Sequence, residues 1–271
     1  MLKLAIVLLL SLTTIYCHSN TLKEVEYNGF TLWMDCSENL AVMAKYSLTK
    51  DIADYKKPTR LVGDYRRSYY REGRNEGCRQ LLSSTYQSQV KHIHDAGKPA
   101  HPYDNGHLVS ANHMDSSQAS IADSMHMDNI FPQVARFNRP GGAWYYTEKI
   151  TECLRDGTDI DVYLGLIMGN DAGNDHFINS HGVRTPDFAW KILHRKDTNT
   201  IQTYLMPNSY ESTESNMMHY VVGIEHLLSK LTSSKVKGYL KPLKSLNQDL
   251  KTWIVSGSRE LFCGKYSASN S

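Results

Sequence analysis

The sequence predicts an α+β fold in which a mixed, largely antiparallel sheet is flanked by helices. Three observations lead there. Short runs rich in β-branched and aromatic residues come in neighbouring pairs joined by turn residues, as at Asn28-Gly29 and Lys196-Asp197-Thr198-Asn199. Two segments, 140–155 and 220–231, carry apolar residues at helical spacing. Strands and helices do not alternate regularly, which argues against a doubly wound parallel sheet.

The elements follow in order. Residues 25–34 are strand material around Asn28-Gly29, with Tyr27, Phe30, Leu32 and Trp33 to bury. Residues 40–48 form a second strand. Residues 51–100 are polar and punctuated by Pro58, Gly63, Gly73, Gly77 and Gly97, so they read as loop with helical pieces inside it. Leu108 and Val109 indicate a strand around the histidine at 107. Residues 116–125 suit a short helix capped by Ser116 or Ser117. Residues 140–155 form a longer helix, with Pro140 in its first turn and Trp144, Thr147, Ile150, Thr151 and Leu154 on one stripe; Asp156-Gly157 ends it. Residues 160–168 are apolar enough for a buried strand. Residues 188–194 and 200–206 are the arms of a hairpin. Residues 220–231 make an amphipathic helix with Val221, Ile224, Leu227, Leu228 and Leu231 on one side.

The first nineteen residues stand apart. Lys3 precedes an uncharged, mostly apolar run over 4–16, and Cys17 and Ser19 are small enough to flank a cleavage site. That is the pattern of a secretory signal peptide, and the run is too short to span a bilayer. The expectation is a secreted chain, without membrane attachment after cleavage, whose residues 20–271 form one domain. Five cysteines occur. If Cys17 leaves with the leader, the other four allow three pairings; Cys36 with Cys78 and Cys153 with Cys263 is the one we favour. No two are spaced like a zinc knuckle.

A formal net charge of +2 excludes a globally basic nucleic-acid coat. A local basic face is available where Arg60, Arg66, Arg67, Arg71 and Arg74 lie among Tyr65, Tyr69 and Tyr70. Arginines meet phosphates and aromatic rings stack on bases, although a solvated loop accounts for this segment equally well.

The densest chemistry begins at Tyr103-Asp104-Asn105-Gly106-His107-Leu108 and continues through Asn129-Ile130-Phe131-Pro132-Gln133 and Phe137-Asn138 to Glu148. A histidine set in a glycine turn can accept a proton from water near neutral pH. The amide oxygen of Asn138 is a hard neutral ligand suited to Mg²⁺, but it competes with the commoner use of asparagine there, capping a helix. Glu148 can hold a metal-bound water or simply pair with a surface cation. His101, His107, His113 and His126 match no compact zinc spacing.

These segments resemble the DNA/RNA non-specific endonuclease family, the ββα-metal nucleases. The family pattern is Asp-Arg-Gly-His, then Asn-x-x-Pro-Gln, then an asparagine before a helix that carries glutamate. Here the matches are Asp104, Gly106 and His107; Asn129, Pro132 and Gln133; Asn138, Trp144 and Glu148. Weaker similarity runs from about Leu40 to Leu231. The resemblance implies a ββα-metal finger inside the α+β fold. It implies His107 as general base, Asn138 as the direct protein ligand of Mg²⁺ (Mn²⁺ as a substitute), and Glu148 as the residue orienting water. Arg60 would bind phosphate, Asp104, Arg136 and Arg139 would bind the substrate, and Asn129 and Gln133 would bind it or support the site. DNA and RNA are the implied partners, cut with little sequence preference to leave 5′-phosphates. Two departures stand out. Asn105, counted with the catalytic group, replaces an arginine. Asn138-Arg139-Pro140-Gly141-Gly142 is about two residues longer than the common form. A secreted nucleic-acid-binding relative without turnover is the alternative.

Overall fold

The computed structural model describes residues 22–50, 70–81, 86 and 103–251. In chain order the strands are β1 (Lys23–Tyr27), β2 (Phe30–Asp35), β3 (Leu40–Leu48), β4 (Tyr103–His107), β5 (Ile130–Val134), β6 (Ile160–Ile167), β7 (Phe188–Arg195), β8 (Thr200–Pro207), β9 (Val221–Val222) and β10 (Asn247–Gln248). The helices are α1 (Gln118–Asp123), α2 (Ala135–Asn138), α3 (Ala143–Arg155), α4 (Ile178–His181), α5 (Met217–Tyr220), α6 (Ile224–Lys230) and α7 (Ser234–Leu240).

One eight-stranded sheet runs β1-β2-β3-β6-β7-β8-β10, with β9 also paired to β8. Every pairing in it is antiparallel except β8 with β10. The α+β architecture expected from the sequence is the one observed. Gly29, at φ +90°, makes the β1–β2 turn in a conformation that side chains resist.

Period-two alternation sends successive side chains of a strand to opposite faces. In β7, Ala189, Lys191 and Leu193 face α3, while Trp190 and Ile192 face the other way. On the first face, Trp144, Ile150 and Leu154 of α3 pack with Phe131, Leu164 and Tyr204. On the second, Ile224, Leu227, Val236 and Leu240 cover Trp33, Met43 and Ile201. Each such apolar side chain contributes roughly 1.5–3 kcal/mol when fully buried. The sheet is therefore a middle layer, with α3 fixed on one side and α6 and α7 on the other.

A second, two-stranded antiparallel sheet pairs β4 with β5, His107 opposite Ile130 and Asp104 opposite Gln133. With α3 it forms a ββα unit.

Three expected elements are placed differently. The strand at the histidine ends on His107, and Leu108 and Val109 are buried after it. The long helix starts at Ala143, not Pro140, because Gly141 has φ +89° and Gly142 takes the N-cap position with extended backbone. The 220–231 helix is broken: β-branched Val221-Val222 pairs with Thr203 and Tyr204 of β8, and α6 begins only at Ile224. Ser117 is the cap of α1, accepting from the Ser120 amide at 3.0 Å.

Cys36 and Cys78 are disulfide-bonded, and so is Cys153. Its expected partner Cys263 lies outside the described residues, as do the leader segment, Arg60, Arg66, Arg67, Tyr65 and Tyr69. Two arginines of the basic segment are described. Arg74 is exposed but tied down, bonded to Asp123 at 2.5 Å and lying over the Tyr27 ring. Arg71 is exposed and bridges to His126 through its backbone.

Candidate active site

The β4–β5 pair is held by buried amides. Asn129 accepts from the Val109 amide at 2.8 Å and donates to the carbonyls of Val109 (2.8 Å) and Ser124 (3.0 Å). Asn208 accepts from the Val134 amide and donates to the carbonyls of Pro132 and Pro186, joining β5 to the end of β8. Gln133 packs over Gly106: a Cβ there would lie 2.1 Å from its Oε1. That close approach is why position 106 is glycine. Asn129 and Gln133 are both fully buried. Of the two roles expected of them, binding substrate or supporting the site, full burial outside the cleft lining leaves the second.

Asn105 is also corrected. It is 9% exposed, and its Oδ1 accepts from the backbone amide of Tyr86 at 2.9 Å. Its carboxamide faces the protein interior and does not line the cleft described next.

Four of the residues singled out from the sequence meet at one cleft of about 410 Å³: His107 from β4, Asn138 from the end of α2, Arg139, and Glu148 from α3. Ser110, Asn112, His113, Tyr145, Lys149 and Glu152 also line it. Of these the sequence reading had named only His113, and only while weighing a zinc site. Tyr145, Glu148, Lys149 and Glu152 recur at i, i+3, i+4 and i+7, so the polar stripe of α3 was the available signal. Lys149 lies over the Tyr145 ring at 5.1 Å. Arg136 is exposed beside Gly141, outside this lining.

Asp104 organises one wall. It accepts from Asn138 Nδ2 at 3.1 Å, and from Arg139 through Nε at 3.0 Å and Nη2 at 2.7 Å. The two-point bond holds the guanidinium in one orientation and raises its proton affinity further. The amide contact has a second consequence. It commits the nitrogen of Asn138 and leaves the oxygen to the cleft. The helix-cap alternative for Asn138 is removed, because the cap of α3 is Gly142. Gly142 is also required sterically, since a Cβ would lie 2.2 Å from the Phe137 carbonyl. The longer Arg139–Gly142 segment thus folds tightly back on α2, held by Gly142 N–H to the Arg139 carbonyl at 2.8 Å.

Behind the cleft, α3 is fastened by buried polar groups. His113 accepts at Nδ1 from the Tyr46 hydroxyl (2.7 Å), and its Nε2 donates to the Glu148 carbonyl (3.1 Å). Burial, and secondarily the charge of Lys191, push its pKa down to about 3, so it is neutral. Burial and then Glu148 and Glu152 push the Tyr46 hydroxyl well above its ordinary range, so it stays a donor. Beside His107, the ring of Tyr70 sits 6.1 Å away.

A small antiparallel pair followed by a helix, with a histidine on the first strand and a glutamate on the helix facing one cleft, defines the ββα class of nuclease sites. The comparisons agree. Residues 13–235 match the model of the DNA/RNA non-specific endonuclease family, and the chain belongs to that family. Mitochondrial endonuclease G from Bos taurus and from Homo sapiens are each 26% identical to it over 136 residues, 46% of this chain and 45% of the relative. The chain thus spans about half the length of the curated relatives it matches. The crystal structure of the EndoG/EndoGI complex superposes with a TM-score of 0.52 at 18% identity, covering 76% of this chain and 82% of that one, a likeness of fold.

Proposed function

We propose that this protein is a secreted, divalent-metal-dependent endonuclease that cleaves the phosphodiester backbone of DNA and RNA with little sequence preference. The observation that carries this reading is the convergence of His107, Asn138 and Glu148 on one cleft beside two cations, Arg139 and Lys149.

His107 acts as general base and takes the proton of the attacking water. Arg139, held by Asp104, and Lys149 receive the charged phosphate oxygens. Contacts to backbone phosphates fix position and carry no sequence information. The Asn138 oxygen and the Glu148 carboxylate offer hard oxygen donors, which fit a largely hydrated Mg²⁺, with Mn²⁺ as substitute. Such an ion would neutralise charge building on the phosphate. Among the described residues no three His, Cys, Asp or Glu side chains converge as metal ligands. Arg139 supplies the positive charge that Asn105 does not. Secretion is supported by the leader-like N-terminal segment and the bonded Cys36–Cys78 pair.

The test is digestion of supercoiled plasmid and of RNA by purified protein with Mg²⁺, with EDTA, and with His107→Ala. Cleavage by the wild type alone, abolished by EDTA, is expected. Equal inertness of wild type and variant in Mg²⁺ and Mn²⁺ sinks the enzyme reading. The inward-facing Asn105 favours one rival, a relative that binds nucleic acid without turnover. A band shift on DNA with no cleavage would select it.

A further inference from the structure

Lys191 is a buried cation with no part in the chemistry above. It is 1% exposed, on β7 between Ala189 and Leu193, which face the same apolar layer. Its Nζ donates to Thr147 Oγ1 at 2.8 Å and lies 3.8 Å from the centre of the Trp144 ring. The Thr147 hydroxyl passes the bond on, donating to the Trp144 carbonyl at 2.7 Å. Lys191 therefore grips the helical turn that ends at Glu148. Burial lowers its pKa to about 8, and the only opposing influence is the negative charge of Glu148.

A buried ammonium costs several kcal/mol to desolvate. A methionine would fill the same gap between sheet and helix without that cost. The retained charge has one evident use on this face. It is a fixed counter-charge and anchor beneath the carboxylate of the cleft. We propose that Lys191, acting through Thr147 and Trp144, is a positioning residue for the cleavage reaction: it fixes the turn of α3 that presents Glu148 to the cleft. The proposal rests on the nuclease reading of that cleft.

The experiment uses the full chain with Lys191→Met, Thr147→Val and Thr147→Ser, assayed on plasmid DNA across a Mg²⁺ series after thermal melts establish folding. Lys191→Met should lower kcat about tenfold or more, a loss typical of supporting residues around a site. KM for DNA should stay within about twofold. The Mg²⁺ concentration for half-maximal rate should rise, and Mn²⁺ titrated without nucleic acid, followed by electron paramagnetic resonance, should bind more weakly. Thr147→Val should move the same quantities in the same direction, and Thr147→Ser should restore them. Folded Lys191→Met and Thr147→Val proteins with wild-type kcat and metal dependence overturn the proposal, as does a serine variant as impaired as the valine one. If Lys191→Met does not fold, the threonine pair decides by the same criteria. An inert wild type would overturn the nuclease reading, a result distinct from an active wild type with unaffected variants.

Discussion

On one side of the central sheet, α6 and α7 lay Ile224, Leu227, Val236 and Leu240 against Trp33, Trp190 and Ile192. On the other, the apolar packing of Phe131, Trp144 and Tyr204 is interrupted by Lys191, His113 and Arg155, each no more than 2% exposed. Apolar contact alone suffices to stabilise a layer. Polar and charged groups buried at a cost, all touching α3 or the residues around it, mark where orientation is being controlled. Arg155, for example, reaches the Thr49 carbonyl at 3.1 Å and Glu152 at 3.4 Å. One face keeps the fold together, and the other keeps a helix in register.

That contrast can be broken by substitution on either side. The largest effect belongs to the cleft: His107→Ala should lower kcat/KM about 10²–10⁴-fold while leaving the unfolding midpoint nearly unchanged, as read by plasmid cleavage and thermal melts. The mirror case is Leu227→Ala on the far face, where the side chain is fully buried. It should cost about 2–5 kcal/mol in urea unfolding and leave kcat at permissive temperature nearly unaltered. If Leu227→Ala lowers kcat as His107→Ala does, the division between faces is wrong.

The contrast also has a pH signature. His113 has a native pKa of about 3 against an ordinary value of 6.5, so the unfolded chain binds its proton first. Stability from this group is present above pH 6.5 and is lost as pH falls towards about 3, a few kcal/mol in all. Denaturant melts across that range should show the slope in wild type, and His113→Gln should flatten it.

Asn105→Arg sharpens the comparison at the finger. From the family pattern alone the arginine should raise cleavage. In the structure it would replace a buried acceptor of the Tyr86 amide with a charge, so the expected result is about 1–3 kcal/mol lost and no gain in rate. A faster enzyme would show that the side chain can turn into the cleft. The smallest effect is Arg139→Ala, which should raise KM for DNA several-fold and flatten its salt dependence.

Much of this was legible in the chain. The turn residues Lys196-Asp197-Thr198-Asn199 gave the hairpin of 188–194 and 200–206, and Asn28-Gly29 gave the first hairpin. Asp104, Gly106, His107, Asn138 and Glu148 could be named because side-chain chemistry and short-range spacing are written directly in sequence. What stayed hidden depends on long-range contact. Pro140 looks like a helix start until Gly142 is seen packed on the carbonyls of α2. Val221 and Val222 look helical until β8 offers them a ladder.

The sequence by itself determined the inventory: which residues can carry a proton, offer a hard oxygen, or hold a phosphate, and which segments alternate with period two or 3.6. Only the tertiary structure decided direction. It turned Asn105 inward and Arg139 outward, and it set Lys191 against the Trp144–Thr147 turn of α3 that leads into Glu148. The physical reason is that burial, and the pairing burial demands, is a property of neighbours, and neighbours distant in sequence exist only once the sheet has closed on its helices.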